Sequence, residues 1–166
     1  MTTPHPSDSA EQRDLETTIL PTLGAQLGAE LAPETIDLGD GVRVALDGIS
    51  ADRSVIVEVY GHVGELKGAQ GTKLTRDAFK LVFVGGRLGA TTLVLAVVDQ
   101  PAYRYLTTAK TWAAAALRDF GVTVTLIELD GADHARILAV QQRQAAGMRG
   151  SGSGDEQGGE PAGSTN

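Results

Sequence analysis

The sequence contains no cysteine, which excludes disulfide bonds, thiolate zinc sites and a cysteine nucleophile. Chemistry is left to carboxylates, hydroxyls and three histidines, and a metal ion here would be bound mainly by oxygen atoms. Long apolar runs are also missing, because LVLAVV and VIVEV are far shorter than a bilayer-spanning segment. We therefore expect no membrane span.

Positive charge is scarce, and the formal net charge is -7 at pH 7. This balance argues against a protein that coats nucleic acid through bulk electrostatics. Residues 41–140 are nearly neutral, so the acidic excess lies in the two ends of the chain. The N-terminal stretch MTTPHPSDSAEQRD is polar and contains no apolar signal segment, and we expect a cytoplasmic protein.

A length of 166 residues with 42% hydrophobic residues predicts one soluble, globular domain. Residues 1–9 are rich in proline, serine and threonine, and we expect a flexible leader there. The domain then covers residues 10–147. Residues 148–166 form a Gly/Ser/acidic segment that is too polar to offset the entropy of ordering, and we expect disorder.

The first half of the domain predicts a helix followed by three strands. Leucines from Ala10 onward recur at roughly helical spacing, but Pro21 and two glycines interrupt them, so we expect one kinked helix or two short ones. The GDG sequence at 39–41 is typical of a hairpin turn between strands 35–38 and 42–47. A second turn, SADR, leads into the β-branched run SVIVEVYGH, which completes an antiparallel meander.

A Gly-rich loop and an amphipathic helix, KLTRDAFKLVFV, follow the meander. Thr72 is the predicted N-cap of this helix, and Gly85-Gly86 is its predicted end. The apolar stripe leaves Lys73, Asp77 and Lys80 together on the other side of the helix.

The remaining segments complete an alternating pattern. TTLVLAVV is typical of a strand covered on both faces, residues 100–106 are interpreted as a connection, and TTAKTWAAAALRDFG predicts a helix that ends at Gly121. VTVTLIEL is the last predicted strand, and residues 132–146 form the last predicted helix. The order α-β-β-β-α-β-α-β-α predicts a three-layer α/β/α sandwich around a mixed sheet.

Two acids in the predicted strands form a candidate site. Because side chains alternate along a strand, Glu58, Tyr60 and His62 share one face of SVIVEVYGH. A carboxylate in so apolar a strand needs a cation, a metal or a proton, since burying it unpaired is costly. Asp47 lies at the end of the preceding strand, and the SADR turn allows Asp47 and Glu58 to approach across the sheet.

Neighbouring carboxylates raise each other's pKa unless a divalent cation lies between them. Mg²⁺ suits such a pair because it accepts one or two protein carboxylates together with waters and a phosphate. The alternative is that Asp47 only ends a strand in a turn and that Glu58 pairs with a helix cation such as Lys73 or Arg76. Spacing leaves both interpretations open.

Asp47 is followed after eleven positions by Glu58 in a β-branched strand. The next helix has polar Gln70 and Lys73 near its start, in an α-β-β-β-α-β order. This arrangement, over roughly residues 11–130, resembles the PD-(D/E)xK, or restriction-endonuclease-like, nuclease superfamily. The resemblance implies a phosphodiester hydrolase that uses Mg²⁺ or Mn²⁺, in which Asp47 and Glu58 bind metal and a lysine two residues after the glutamate helps to activate water. Tyr60 occupies that lysine position here, and no proline precedes Asp47.

The resemblance also implies roles for other residues. Some members of the superfamily carry the lysine on the next helix, which assigns that role to Lys73, with Lys67 as a weaker substitute. Gln70 stands where several exonuclease-like relatives have a glutamine. An acid of the first helix can complete the metal site in the superfamily, and Glu30 is the candidate here.

Other polar and aromatic residues have two interpretations each. His62 is a metal ligand, a general base or a phosphate contact, or else a structural residue with ordinary hydrogen bonds. The most basic stretch either contacts phosphates or forms a solvated helix face with an i,i+4 ion pair; its members include Lys67, Lys73, Arg76, Lys80 and Arg87. Trp112 is expected to pack on the sheet rather than to stack on a base.

Three functional hypotheses follow. The first is a Mg²⁺-dependent nuclease, with DNA favoured over RNA as the partner. The second is a catalytically inactive relative that binds protein or nucleic acid, in which Tyr60 and His62 mark the positions where catalytic groups have been replaced. The third is an α/β scaffold that forms homo-oligomers through its apolar helices. In a structure, the decisive geometry is whether Asp47 and Glu58 converge with Lys73 beside them.

Overall fold

The computed structural model describes residues 6–66 and 70–150. Five helices and five strands form this part of the chain. In order they are α1 (Pro6–Leu27), β1 (Leu31–Asp37), β2 (Arg43–Ser50), β3 (Val55–Tyr60), α2 (Gln70–Leu88), β4 (Thr92–Val97), α3 (Gln100–Thr107), α4 (Trp112–Asp119), β5 (Val122–Leu126) and α5 (Gly131–Gly150).

The strands form one open, mixed sheet in the order β1-β2-β3-β4-β5. β2 is antiparallel to both β1 and β3, whereas β3, β4 and β5 are parallel. The predicted meander is therefore confirmed. Its first turn needs glycine, because Gly39, Asp40 and Gly41 all have positive φ, at 88°, 53° and 79°. The parallel strands need crossovers, and α2 supplies the one between β3 and β4.

Helices cover both faces of the sheet. One hydrophobic core packs α2, α3 and α4 against the face of β3 that carries Ile56 and Tyr60. The other packs α1 and α5 against the face that carries Val55, Val57 and Val59. β3 is buried along its whole length, as expected for a central strand covered on both sides. The α/β class and the predicted alternation of β3 side chains are confirmed.

Helix α2 is longer at both ends than predicted. It begins at Gln70, before the predicted cap Thr72, and it continues through Gly85-Gly86 to Leu88. Gly85 is buried, and a Cβ atom there would lie 2.5 Å from Leu93 Cδ2. Glycine therefore allows the helix to pack closely on the sheet instead of ending it. The helix ends before Gly89, whose φ of 69° is typical of a helix stop.

Two other segments also differ from expectation. Helix α1 is a single helix with Pro21 inside it, and it begins earlier than predicted, at Pro6. Residues 100–106 are helical rather than a connection, and they make up most of α3. The signal for α3 is local: the Asp99 side chain accepts a hydrogen bond from the Gln100 N–H, and a proline lies in the first turn.

The predicted leader (1–9) and tail (148–166) lie mostly outside the described residues. Residues 6–9 belong to α1, and residues 148–150 belong to α5, which extends beyond the predicted 132–146. Within the described part of the chain, no helix combines the length and the apolar character that crossing a membrane requires.

Candidate functional site

The pairing of β2 with β3 places Asp47 next to Glu58. Gly48 pairs with Val57, so Asp47 lies one residue beyond the last pair, beside Glu58, and both carboxylates interact with Lys80 of α2. Side chains of directly opposite residues lie on the same face of a sheet. The two acids therefore lie side by side on the face that α2 covers.

Asp47 is held by a backbone group of the neighbouring strand. Its Oδ2 atom accepts a hydrogen bond of 2.8 Å from the Val59 N–H. The regular pairing of β2 with β3 covers Gly48 and Ile49 and stops before Asp47. A side-chain oxygen thus replaces a backbone acceptor where the strands separate, which satisfies a buried donor.

Glu58 is enclosed, with only 2% of the residue exposed. Its Oε2 atom lies 2.5 Å from Lys80 Nζ, and the same ammonium donates a hydrogen bond of 2.9 Å to the Ala45 carbonyl on β2. Glu58 Oε1 is buried and has no hydrogen-bond partner. Lys80 therefore ties α2 to both strands, while one carboxylate oxygen remains an unsatisfied acceptor.

Asp77 is a third acid of this cluster and is only 5% exposed. The Lys73 ammonium lies 3.3 Å from its Oδ2 atom, and Arg76 Nε lies 3.7 Å from its Oδ1 atom. Asp77 follows Leu74 by three positions and precedes Leu81 by four, so it shares their sheet-facing side of α2. The prediction that Asp77 and Lys80 lie away from the core is therefore wrong.

Tyr60 occupies the end of β3 beside the acids. Its hydroxyl is buried without a hydrogen-bond partner, and the Lys73 ammonium lies 5.0 Å from the centre of its ring. Burial, together with the nearby Asp77 carboxylate, raises the pKa of Tyr60 to about 12. Tyr60 is thus a neutral, buried group at the position where the resemblance implies a lysine.

His62 follows Tyr60 in the loop after β3. Its Nδ1 atom is 3.4 Å from Gln70 Nε2, and burial lowers the pKa of His62 below its usual value. The loop is braced from the far side, where the Gln141 side chain makes hydrogen bonds of 2.8 and 2.9 Å with the backbone of Val63. His62 and Gln70 therefore lie within hydrogen-bonding distance of each other, between the loop after β3 and the start of α2.

The electrostatics of the acid pair are dominated by burial. Burial, reinforced by the Asp47 carboxylate, raises the pKa of Glu58 to about 8 in spite of the Lys80 ammonium. Burial also raises the pKa of Asp47, although the Val59 N–H opposes this. A close ammonium ordinarily lowers a carboxyl pKa, so desolvation outweighs Lys80 here. Near neutral pH, Glu58 must lose a proton before it can bind a cation.

Several predicted site residues lie away from the acid pair or do not make the contact that was predicted for them. Glu30 is exposed in the connection between α1 and β1, and α1 packs on the opposite face of the sheet from Glu58; the structure does not bring Glu30 to the site. Lys80, rather than Lys73 or Arg76, is the cation that contacts Glu58. Lys67 lies outside the described residues. The sequence analysis did not include Asp77 in the site. Its spacing of three residues from Leu74 could have predicted that both side chains lie on the same face of the helix.

The donor atoms are compatible with a small divalent cation. Within residues 6–66 and 70–150, no group of three or more His, Asp or Glu side chains is arranged to hold a metal ion. Mg²⁺ usually keeps several waters, however, and needs only one or two carboxylates. Asp47 and Glu58 meet that smaller requirement, and Glu58 Oε1 is a buried acceptor that a cation would satisfy.

Comparison of the chain with protein-family models, with curated proteins and with solved structures finds no match. The fold and the site therefore define the class of protein by themselves. It is an α/β protein with a mixed five-stranded sheet, and it has a cluster of acids and lysines where β2, β3 and α2 meet, in which Glu58 and Asp77 are buried.

Proposed function

We propose that this protein is a divalent-metal-dependent phosphodiester hydrolase of restriction-endonuclease-like fold that acts on DNA. The observation that carries the proposal is the closeness of two acids, since the Asp47 carboxylate acts on the charge of Glu58 and accepts a hydrogen bond from the next residue of β3, together with the Lys80 ammonium on Glu58 Oε2. Asp47 and Glu58 are the proposed metal ligands. The proposed catalytic lysine is Lys80, in place of Lys73, because Lys80 is the lysine that reaches the acid pair.

The order of elements supports the proposed fold. Helix α1, the meander β1-β2-β3, helix α2 and strand β4 follow one another, which is the α-β-β-β-α-β order that the resemblance implies. The two acids lie on adjacent strands of the meander, and the lysine comes from the next helix. Under this proposal the lysine comes from the helix and not from the strand of the glutamate, as in some members of the superfamily.

In the proposed reaction, the carboxylates would bind the metal ion and the metal ion would act on the phosphate and on water. A bound Mg²⁺ or Mn²⁺ would neutralise charge on a phosphate and lower the pKa of water. Asp47 is held in place by the Val59 N–H, and Glu58 is fixed within a fully buried strand. Both ligands are thus positioned by backbone structure, which favours preorganisation.

Lys80 has a free donor for a reacting group. An ammonium has three N–H donors, and Lys80 uses two of them, on Glu58 and on the Ala45 carbonyl. Its side chain is 27% exposed, so the third donor can reach water or a phosphate oxygen. Lys73 and Arg76 lie on the same helix with more exposed side chains, and they are the proposed contacts to flanking phosphates.

Cleavage of single- and double-stranded DNA oligonucleotides with Mg²⁺, Mn²⁺ or EDTA tests the proposal, with RNA in parallel. We expect metal-dependent cleavage that Asp47→Asn and Glu58→Gln abolish and that Lys80→Met reduces by about 10²- to 10³-fold, the usual effect of removing one electrostatic donor. Glu128→Gln is the matched control, because Glu128 is exposed beyond β5. Cleavage that persists in Glu58→Gln would refute the proposal.

A second candidate is a catalytically inactive domain that binds nucleic acid or protein. It is favoured by Tyr60 at the position of the expected lysine and by the Lys80 ammonium, which already occupies Glu58 Oε2. In that case, DNA binding in EDTA should weaken steeply with salt and should fall in Lys73→Met. Binding without cleavage under every metal condition would select this candidate over the hydrolase.

A further inference from the structure

The large aromatic side chains of this protein are unusually placed. The chain has one tryptophan and three phenylalanines, and all four are exposed: Phe79, Phe83, Trp112 and Phe120. Trp112 was expected to pack on the sheet, but it is 73% exposed, so that prediction is wrong. The cores are instead built mainly from aliphatic residues.

Three of these aromatic residues line one apolar groove between α2 and α4. Its volume is about 410 Å³, and its lining includes Phe79 and Val82 of α2, Leu106 of α3, Trp112 and Leu117 of α4, and Phe120. Phe79 is 72% and Phe120 62% exposed. We call this surface the aromatic groove. Arg76 is the charged residue that reaches its lining.

The exposed aromatic area is a substantial part of what one side of an interface needs. Aromatic side chains bury about 150–250 Å² each, so at these exposures Phe79, Trp112 and Phe120 together present about 400 Å² to solvent. Monomeric proteins rarely expose contiguous apolar patches much larger than this. A standard interface takes about 800 Å² from each partner, so the three aromatic rings supply about half of one side before the aliphatic lining is added.

We propose that the aromatic groove is the interface of a homodimer with two-fold symmetry. A two-fold interface joins the same patch on both copies, so the patch must carry both projections and a hollow that receives them. The aromatic groove has both, because its walls are protruding aromatic rings and its volume lies in the range that encloses a drug-sized group. An anionic partner such as a lipid surface or nucleic acid fits less well, since the groove is apolar and the chain is acidic.

The proposed interface does not rest on the proposed function, and it meets the acid cluster only at Arg76, which lines the groove and whose Nε lies 3.7 Å from Asp77 Oδ1. Successive residues of a helix are about 100° apart, so Phe79 and Lys80 point to different sides of α2. Lys80 reaches the β2–β3 acids, while Phe79 lines the groove towards α4.

Mass measurement by light scattering or sedimentation over a range of concentrations tests the dimer. We expect a mass that rises from one to two chains, and a Phe79→Ala or Trp112→Ala variant whose dimer is about 1,000-fold weaker, because each hot-spot residue occurs twice in a two-fold interface. Phe83→Ala is the matched control: Phe83 lies one turn along α2, packs near Arg87 and does not line the groove. Its dimer should match the wild type.

Trp112 gives a second readout in the unmodified protein, because it is the only tryptophan. Its emission should shift to shorter wavelength, and acrylamide quenching should fall, as the concentration rises through the dimer range. Phe79→Ala should keep the emission of an exposed tryptophan over that range. A monomeric mass at all concentrations would overturn the proposal. A blue-shifted emission in a protein of monomeric mass would mean that another part of the same chain covers the groove, and it would also overturn the proposal.

Discussion

Replacing Lys80 with methionine removes the cation that contacts Glu58 while keeping a side chain of similar length. Breaking a buried pair by removing one partner costs about 3–5 kcal/mol when the remaining charge stays buried. Glu58 can avoid that charge by holding a proton, because burial raises its pKa to about 8. The loss in the free energy of unfolding should therefore depend on pH.

The expected magnitudes follow from linkage. At pH 6, Glu58 is protonated in the folded state, so Lys80→Met loses mainly the hydrogen bonds to Glu58 and Ala45, about 1–2 kcal/mol. Above pH 8, the wild type gains by ionising Glu58 beside the ammonium, whereas the variant must keep the proton. Each further pH unit then adds about 1.4 kcal/mol to the loss.

Denaturant unfolding at pH 6, 7, 8 and 9 measures this loss. Arg53→Met is the control, since Arg53 and Glu34 form an ion pair of 3.1 Å whose side chains are about half exposed; it should cost less than about 1 kcal/mol at every pH. A loss in Lys80→Met that is the same at pH 6 and pH 9 would refute the assignment of a buried, proton-coupled pair.

Two further predictions concern the charge of Glu58 and the packing of two helix glycines. Glu58→Gln should stabilise the protein relative to the wild type, by an amount that grows between about pH 5 and pH 8 in melting curves. The folded pKa of Glu58 lies above its unfolded value, so the wild type loses stability as pH rises through this window. A stability difference that shrinks as pH rises would contradict this. Gly24→Ala should destabilise the fold by about 1–3 kcal/mol, because its Cβ would lie 2.5 Å from the Ala29 carbonyl oxygen. Gly86→Ala, with open space around it in α2, should instead stabilise by about 1 kcal/mol in denaturant unfolding; equal effects of the two glycine variants would rule out steric crowding at Gly24.

The β-meander could be predicted from the sequence because its signals are local. The GDG turn and the β-branched run define two strands, and alternation along β3 then places Glu58 and Tyr60 on one face. The approach of Asp47 to Glu58 follows from the short SADR turn between their strands. These features depend on neighbours in the chain, and the structure has them as expected.

The partner of Glu58 could not be predicted in the same way. Several cations on α2 lie within reach of the strand, and the choice of Lys80 depends on how closely the helix packs, which Gly85 permits. Asp77 was assigned to the solvated side because charged residues are usually exposed. In the structure, ion pairs with Lys73 and Arg76 offset the cost of burying its charge.

Trp112 and α3 were misjudged for different reasons. A large aromatic residue at the start of an Ala-rich helix is usually buried, and only the position of α4 relative to α2 leaves Trp112 on the surface. The α3 segment carried its own signals, a capping aspartate and a proline in the first turn, but it is only eight residues long, and so short a helix has little periodicity.

Manganese binding tests the central claim most directly, because it needs neither a substrate nor an assumed reaction. Free Mn²⁺ can be followed by electron paramagnetic resonance as the protein is titrated at pH 6, 7 and 8. We expect one site per chain, with an affinity that rises up to about tenfold per pH unit because Glu58 must release its proton. Asp47→Asn should abolish this site, and Glu128→Gln should leave it unchanged. No binding at pH 8, or binding that survives in Asp47→Asn, would contradict the metal site.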